Sequence, residues 1–437
     1  MKSDLKVGYC KLDITPGESL PMAGLGNSSQ RKSKAVLEPI FATCIALTDS
    51  KKNTALFFSL DIQNAYGPVA GFREAVSKAV GLPESQVMMS FTHNHSSVDI
   101  DNRTEESIER YNKTLCALLV EAAKNAIADR KVSRMYFAAV KTKGLNFVRR
   151  YIMNDGSLCG DNFGSMESGI RCHETEADPM LQLIRFERED SRAVLMTNFQ
   201  THSNYTIHSG MLSSDVAGAF RDALEEASGC HAIHFNGASG NINPKSRIPE
   251  ENIAADHRDW GRRLALFAMS ADFKAVPDAE LKMDQFTFQA KANHSQDHLV
   301  PVATQIRDTF YATNDRALCK EMGMPHGITS AYHAIAIVGN SRLPETIPVH
   351  MFVFSMGDVA FAFAPIEMFD TNGVYIKEHS PFGMTFICGY SNYCQGYMPS
   401  EVAGENRGYE VLTSIFAPGN AEPLAQQYVK MLLKLRK

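Results

Sequence analysis

Two histidines in the stretch FTHNHSS, residues 91–97, have a type and a spacing that could do chemistry. His93 and His95 are separated by one residue and follow the apolar run VMMS. In an extended backbone, side chains two residues apart lie on the same face, so both imidazoles can point to one place. An imidazole can bind a metal ion, transfer a proton or form structural hydrogen bonds in a turn, and this stretch alone is compatible with all three.

Four more polar stretches follow other predicted strands. They are His202 after AVLMTNFQ, the glycine-rich stretch FNGASGNINP at 235–244, Glu367 after VAFAFAP, and Tyr397 after TFICGY. The carboxyl ends of the strands in an α/β sheet form the crevice in which ligands bind. We therefore expect these distant segments to converge with His93 on one site.

Two imidazoles, one carboxylate and one further oxygen would form a hydrolytic metal site. Zinc prefers such a set of ligands, and a catalytic zinc keeps one position open for water. The metal lowers the pKa of that water or polarises a substrate carbonyl. The same ligands can hold iron, manganese or nickel, so zinc is our prediction among several metals.

The segment 54–91 predicts the framework that holds the first two histidines. TALFFSLDI, residues 54–62, is a short continuous apolar run typical of a buried strand, and GFREAVSKAV, residues 71–80, has the spacing of an amphipathic helix. Gly81 and Pro83 end this helix before the strand that leads to His93. A strand, a helix and a strand at this spacing predict a βαβ unit with parallel strands.

The remaining elements alternate in the same way and predict an α/β fold. We expect mixed, largely parallel sheets flanked by helices, with the site at the carboxyl ends of the strands. Between about 285 and 345 the pattern is weak, and we expect an insertion, a lid or a subdomain there. Further strands are predicted at 134–140, 181–186, 193–199, 231–235, 351–356, 359–363 and 384–388, and further helices at 106–129, 216–228, 253–271 and 422–434.

The composition of the 437 residues is that of a soluble globular protein. Hydrophobic residues make up 44% of the chain and charged residues 21%, which is enough for a sizeable core. The net charge is −5 and no basic block occurs, so we expect no nucleic-acid partner. No apolar run approaches the ~20 residues that a spanning helix needs, so we expect no membrane anchor. A small-molecule substrate is therefore the expected partner.

The cysteines and the first residues favour a cytoplasmic location. The nine cysteines are scattered and include no C-x-x-C pair, which indicates free thiols. The opening MKSDLKVGYCKLDITPG lacks the apolar region of a secretion signal. Because no linker-like stretch divides the chain, residues 1–437 are predicted to form a single domain.

The histidine stretches belong to a series of segments that runs through nearly the whole chain. The segments are VGYCKLDITP (7–16), PMAGLG (21–26), LDIQN (60–64), THNHS (92–96), NFVRR (146–150), NFQTHSNY followed by SSD (213–215), APIEMF (364–369), NYCQGY (392–397) and RGYE (407–410). In this order they resemble the neutral ceramidase family, specifically its N-terminal catalytic domain. The resemblance implies the fold of that domain and zinc-dependent cleavage of an amide bond.

The resemblance also implies a role for each residue of the site. Tyr397 enters only in this way, because a phenol is an unusual zinc ligand. The matching residues are His93, His202, Glu367 and Tyr397 as the family's four zinc ligands, and His95 and Arg149 as groups that face the substrate.

The chain departs from the family at the active-site serine. The family's G-D-x-S-P-N motif aligns with GNINP, residues 240–244, where Asn241 replaces the aspartate and Asn243 replaces the serine. An amide group is neither a nucleophile nor a proton acceptor, so Asn243 could only position substrate or water. We also expect no C-terminal β-sandwich domain and a soluble substrate in place of ceramide.

Three functions remain open at this point. The first is a zinc-dependent hydrolase that cleaves an amide or ester bond of a soluble small molecule, with His95, Arg149 and Asn243 as catalytic groups. The second is a zinc-dependent lyase or isomerase for a sugar-like or polyhydroxy acid substrate, which needs no serine. The third is a non-catalytic binding protein that kept the fold. Further candidates for orienting a ligand or contacting the substrate are Asp61, Asn241 and His208.

Overall fold

The computed structural model describes residues 5–25, 28, 31–102, 104–161, 163–277 and 279–437. Gly26 of the PMAGLG segment therefore lies outside the described residues. The strands are β1 (Lys6–Asp13), β2 (Phe41–Thr48), β3 (Thr54–Leu60), β4 (Val87–Phe91), β5 (Lys131–Lys141), β6 (Phe147–Val148), β7 (Arg150–Met153), β8 (Leu158–Gly160), β9 (Ile170–His173), β10 (Met180–Arg188), β11 (Val194–Phe199), β12 (His231–Asn236), β13 (Ile242–Asn243), β14 (Lys274–Val276), β15 (Leu281–Lys291), β16 (Thr346–Met356), β17 (Val359–Phe363), β18 (Glu367–Met368), β19 (Met384–Cys388) and β20 (Tyr397–Met398).

Two large sheets pack against each other and share one core. The first has the order β12-β11-β10-β5-β1-β2-β3-β4, with β14 on β5, and the second has the order β15-β16-β17-β19. Side chains from both sheets meet between them, and the ring of Phe57 lies 5.1 Å from that of Phe354 and 5.4 Å from that of Phe361. Such edge-to-face aromatic contacts add to the burial of apolar surface that holds a sandwich together.

The parallel strand pairs lie where the candidate site segments leave the sheets. β3 pairs with β4, β11 with β12 and β17 with β19 in parallel. The mixed α/β fold and the βαβ unit are confirmed, but the other pairs of the two large sheets are antiparallel. Short connections such as 357–358, between β16 and β17, force neighbouring strands to run antiparallel.

Helices cover the outer faces of both sheets. They are α1 (Pro68–Val80), α2 (Glu106–Ala128), α3 (Asp215–Ser228), α4 (His257–Met269), α5 (Val300–Thr313), α6 (Arg316–Gly323), α7 (Ala331–Asn340), α8 (Asp370–His379), α9 (Glu401–Asn406), α10 (Tyr409–Leu412) and α11 (Ala421–Arg436). α1 to α4 pack on the first sheet, and α8 and α11 pack on the second. Among the described residues, no helix combines the length and the apolar character needed to cross a bilayer.

Local sequence sets the ends of these helices. α1 begins at Pro68, whose fixed φ suits a first turn, and ends before Gly81, which has a φ of 70°. α4 begins at His257, so the predicted start at 253 is wrong by four residues. The reason is a cap, since the Asp256 side chain accepts a hydrogen bond from the backbone N–H of Asp259.

Residues 297–340 form a helical unit with a small core of its own. α5, α6 and α7 bury residues such as Ile306, Phe310 and Ile337 against one another. Asn340 Nδ2 ties the unit to the rest of the chain by donating to the carbonyl of Ser414 at 2.9 Å. The sequence pattern is weak here because each short helix buries only a few side chains.

Candidate metal centre

His93 leaves the end of β4 in a backbone conformation that few residues other than glycine adopt. Its φ is 56°, and Tyr390, which follows β19, has a φ of 53°. The two rings stack with centroids 4.0 Å apart, and Phe91 N donates to the carbonyl of Tyr390 at 3.2 Å. Such conformations cost ~1–3 kcal/mol each and persist where the surroundings hold them, often at functional sites. The two sheets therefore meet at His93.

The imidazoles of His93, His95 and His202 converge at this edge. Nε2 of His95 lies 3.0 Å from Nε2 of His93, and the ring centroids of His93 and His202 are 4.5 Å apart. One ligand atom from each histidine lies within 4.8 Å of the others. The three residues form a group that could hold a metal ion.

Backbone carbonyls fix the orientation of each imidazole. A carbonyl oxygen only accepts hydrogen bonds, so each Nδ1 carries the proton and each Nε2 presents its lone pair. An outer hydrogen bond of this kind is what orients histidine ligands toward a metal. The contacts join Nδ1 of His93 to Gln63 O at 3.2 Å, Nδ1 of His95 to Gly24 O at 3.3 Å, and Nδ1 of His202 to Ser239 O at 2.7 Å.

Gly24, in the PMAGLG segment, permits the close approach of its loop to His95. Its φ is 98°, and a Cβ at this position would lie only 2.6 Å from Nδ1 of His95. A side chain at this position would strain the backbone and displace the imidazole. The carbonyl that orients His95 therefore requires a glycine.

Glu367 brings a carboxylate to the same point. Its Oε2 lies 3.3 Å from Nε2 of His93 and 3.6 Å from Nε2 of His202. The Nε2 of His202 and the Oε2 of Glu367 are buried without a hydrogen-bond partner. A buried acceptor without a donor costs about 1–3 kcal/mol. A cation among these atoms would satisfy both, so the residues present fit a metal ion.

Burial sets the charge states of these groups. It lowers the pKa of His93 and of His202 well below the ordinary value and lowers that of His95 to about 3. Burial also raises the pKa of Glu367 to about 8, although the nearby Arg149 guanidinium acts in the opposite direction. Neutral imidazoles with free lone pairs are the form of histidine that binds metals.

Tyr397 lies beside Glu367 and is held by Arg149. β18 and β20 run parallel with Glu367 opposite Tyr397, which places the two residues side by side. Nη2 of Arg149 donates to the Tyr397 hydroxyl at 3.1 Å and to the carbonyl of Gly240 at 2.9 Å. Arg149 Nε pairs with Glu410 Oε1 at 2.9 Å. The guanidinium of Arg149 therefore contacts the phenol of Tyr397 while Glu410 and the carbonyl of Gly240 hold it in place.

Sequence analysis missed the buried ion-pair network behind Arg149. Glu410 Oε2 also pairs with Arg150 Nη1 at 3.0 Å, and Arg150 Nε pairs with Glu174 Oε2 at 2.5 Å. Burial raises the pKa of Glu410, but Arg149 and Arg150 outweigh burial and hold that pKa below its usual value. The paired arginines of NFVRR and the final residue of RGYE are the signals that could have indicated this network.

The two asparagines at the place of the family's aspartate and serine have polar partners of their own. Nδ2 of Asn243 donates to the Asp161 carboxylate, and its Oδ1 accepts from Asn204 Nδ2 at 3.0 Å. Oδ1 of Asn241 accepts from the backbone N–H of Asp370 at 2.9 Å. These bonds connect the loop to its neighbours on both sides.

Asp61 bonds another part of the molecule, and His208 is exposed. Oδ2 of Asp61 accepts from Arg221 Nη1 at 2.7 Å and from Phe41 N at 3.0 Å, so this carboxylate connects β2 to α3. The Nδ1 atoms of His93 and His202 donate to backbone carbonyls, and not to the Asp61 carboxylate that the sequence offered as a candidate partner. His208 is exposed in the turn that follows His202.

Two solved structures share this fold over the whole chain. Neutral ceramidase from Pseudomonas aeruginosa is 17% identical, with a TM-score of 0.72 and coverage of 100% of this chain and 75% of that chain. A ceramidase complexed with C2 is 16% identical, with a TM-score of 0.73 and coverage of 100% of this chain and 76% of that chain. No family model and no curated protein sequence matches the chain. The neutral-ceramidase-like fold expected from the motifs is confirmed.

Proposed function

We propose that this chain is a zinc-dependent hydrolase that cleaves an amide or ester bond of a soluble small molecule. The observation that carries this proposal is the convergence of buried nitrogen and oxygen acceptors at the ends of β4, β11 and β17, of which His202 Nε2 and Glu367 Oε2 have no donor. Three Nε2 lone pairs and one carboxylate oxygen meet there. Only a cation or protons can satisfy such a set.

His93, His202 and Glu367 would hold the zinc, with Tyr397 as the fourth ligand. The first three present Nε2, Nε2 and Oε2 to one point, and the phenol lies next to the carboxylate. When bound, zinc supplies a Lewis acid that activates water and polarises a carbonyl.

His95 is the group proposed to orient the substrate. Its Nδ1 proton is committed to the carbonyl of Gly24, so its Nε2 accepts a hydrogen bond from an O–H or N–H at the reacting centre. Gly24 and the ring of His93 restrict the movement of this imidazole. His95 can therefore direct the leaving nitrogen or oxygen of the substrate.

Arg149 is the group proposed to stabilise negative charge. It is 4% exposed and lies between the Tyr397 hydroxyl and the Glu410 carboxylate. A guanidinium fixed by an ion pair needs no rearrangement when an oxyanion develops on the substrate. Its contact with Tyr397 also holds the phenol oxygen in place.

Water is the proposed nucleophile because Asn243 has no reactive hydroxyl. Its amide is held by Asp161 and Asn204, which suits a positioning role. The test compares His202→Ala with Asn243→Ala against a panel of small amides and esters. We expect His202→Ala to reduce kcat/KM by about 10⁴-fold and Asn243→Ala to keep part of the activity. Equal activity in the two variants would contradict the proposal.

The same observation about Asn243 supports a second candidate, a zinc-dependent lyase or isomerase. Proton abstraction beside a carbonyl needs a metal and a base but no acyl acceptor, and His95 could move the proton. Incubation of a polyhydroxy acid in deuterated water distinguishes the two functions. Exchange of substrate hydrogen for deuterium would favour the lyase or isomerase, and hydrolysis without exchange would favour the hydrolase.

A further inference from the structure

A cavity lies between α8, α9 and α11. Its volume is about 240 Å³. Phe369 and Asn241 form part of its wall, while none of the proposed zinc ligands lines it. The cavity is therefore a separate space behind the segments that carry Glu367 and Asn243.

Three polar atoms of the cavity lining are buried without a hydrogen-bond partner. They are Thr175 Oγ1, Asn372 Oδ1 and Glu422 Oε2. Asn372 is only 4% exposed, and its Nδ2 donates to Glu422 Oε1 at 3.2 Å. This bond fixes the amide so that Oδ1 is the free acceptor. The cavity thus offers an amide oxygen, a carboxylate oxygen and a hydroxyl to a ligand that brings donors.

Glu422 also brings a negative charge that no neighbour neutralises. Its Oε1 accepts from Asn372 and from the backbone N–H of Glu401 at 2.9 Å, and no basic side chain in the described part of the chain pairs with it. Glu174, another lining residue, is in contrast paired with Arg150. The first turn of α11 favours a carboxylate through the helix dipole, but it provides no donor for Oε2.

We propose that this cavity binds a small organic ammonium ion with an apolar body. The ammonium group would donate to Glu422 Oε2 and Asn372 Oδ1, because charge-assisted bonds are the strong ones. Phe369, Tyr375 and Ala425 provide carbon surface for the body of the ligand, and the two rings also attract a cation. An inorganic ion fits less well, since calcium takes about six to eight oxygen ligands and much of this wall is carbon.

Benzylammonium and benzyl alcohol are the matched probes for this cavity. They have nearly the same size and differ in charge. Isothermal titration of the full chain is expected to show benzylammonium binding more tightly than benzyl alcohol. Glu422→Gln keeps the shape of the side chain and removes the charge. It should weaken the binding of benzylammonium by about tenfold or more and leave the affinity for benzyl alcohol unchanged.

Glu401→Gln is the control variant, because Glu401 is exposed near the cavity and its removal changes the net charge by the same amount. It should bind benzylammonium as the natural chain does. Ala425→Leu fills the cavity and should abolish binding of both probes while His202→Ala leaves it intact. The proposal would be overturned by no binding of benzylammonium, by equal affinity for the alcohol, or by equal affinity in Glu422→Gln. Binding lost in His202→Ala would also overturn it, by placing the ligand at the metal centre.

Discussion

The clustered histidines and the neighbouring asparagines lie at the same edge of the sandwich, but they differ in whether the polar atoms that face the site have partners. Asn243 bonds Asp161 and Asn204, and Asn241 bonds the backbone of Asp370. His202 Nε2 and the facing carboxylate oxygen of Glu367 have none. Both sets are buried, so exposure to water does not explain the difference.

The asparagine contacts hold the loop in place, whereas the acceptors of His202 and Glu367 are not used by the fold. A folded chain satisfies nearly all its buried polar groups, and an unsatisfied one costs stability. The two acceptors without donors, His202 Nε2 and Glu367 Oε2, therefore support the proposed cation site. The bonds of the two asparagines explain how their loop keeps its shape.

The largest effect on the free energy of unfolding is expected at Glu410, whose two carboxylate oxygens both have partners. Glu410→Gln leaves the buried guanidinium groups of Arg149 and Arg150 with too little negative charge. We expect a loss of about 3–5 kcal/mol, measured by urea unfolding. The control is Glu405→Gln, a change at an exposed residue of α9. Equal stability of the two variants would mean that the network contributes little.

The next largest effect is expected from zinc, which should raise the free energy of unfolding by binding at His93, His202 and Glu367. A ligand that binds only the folded chain adds about 2.7 kcal/mol at a hundredfold excess over its Kd. Thermal unfolding with and without zinc should show this gain in the natural chain and in Asn243→Ala, and not in His202→Ala. A gain of the same size in His202→Ala would place the metal elsewhere.

His333 is a buried histidine with partners at both nitrogens and offers a third test. Its Nδ1 accepts from Thr329 N at 3.2 Å, and its Nε2 lies 2.9 Å from Gln296 Oε1. Burial lowers its pKa to about 4, below the value near 6.5 of an unfolded chain. The unfolded state therefore takes up more protons as pH falls, and stability decreases.

This proton uptake predicts a loss of about 2 kcal/mol between pH 7 and pH 5. His333→Gln should remove that part of the loss, which is measured by urea unfolding at the two pH values. The control is His350→Gln at an exposed histidine, which should unfold with the pH dependence of the natural chain. The same pH dependence in both variants would show that His333 does not contribute.

The smallest effect is expected at Asn243. Asn243→Ser restores the residue type of the family motif but removes the bonds to Asp161 and Asn204. We expect a loss of about 1–2 kcal/mol of stability and a change in kcat/KM of less than about tenfold. A gain of several orders of magnitude in amide cleavage would show that a serine, and not water, is the nucleophile that this site lacks.

The sequence predicted well those features that depend on short-range patterns. The apolar runs of β3, β4, β11 and β17 indicated strands, and the polar residues directly after them indicated where His93, His202 and Glu367 would meet. Gly81 marked the end of α1. These signals are local, and strand ends converge for any sheet of this type.

The rest depended on contacts between residues distant in sequence. The carbonyls of Gln63 and Ser239 that orient the imidazoles carry no sequence signal, because every residue has a carbonyl group. Arg221 donates a hydrogen bond to the carboxylate of Asp61, although the two residues are 160 positions apart in the sequence. The antiparallel pairs of the sheets depend on which strands lie next to each other. The residue pattern of a single strand does not specify its neighbours.

The central claim is tested most directly by the zinc content of the protein purified without a metal-chelating tag. The natural chain and His202→Ala are compared by elemental analysis after gel filtration. The account predicts about one zinc per chain in the natural protein and a loss of that zinc in the variant. No metal in the natural chain, even after zinc is added back, would contradict it and would favour a binding protein that kept only the fold.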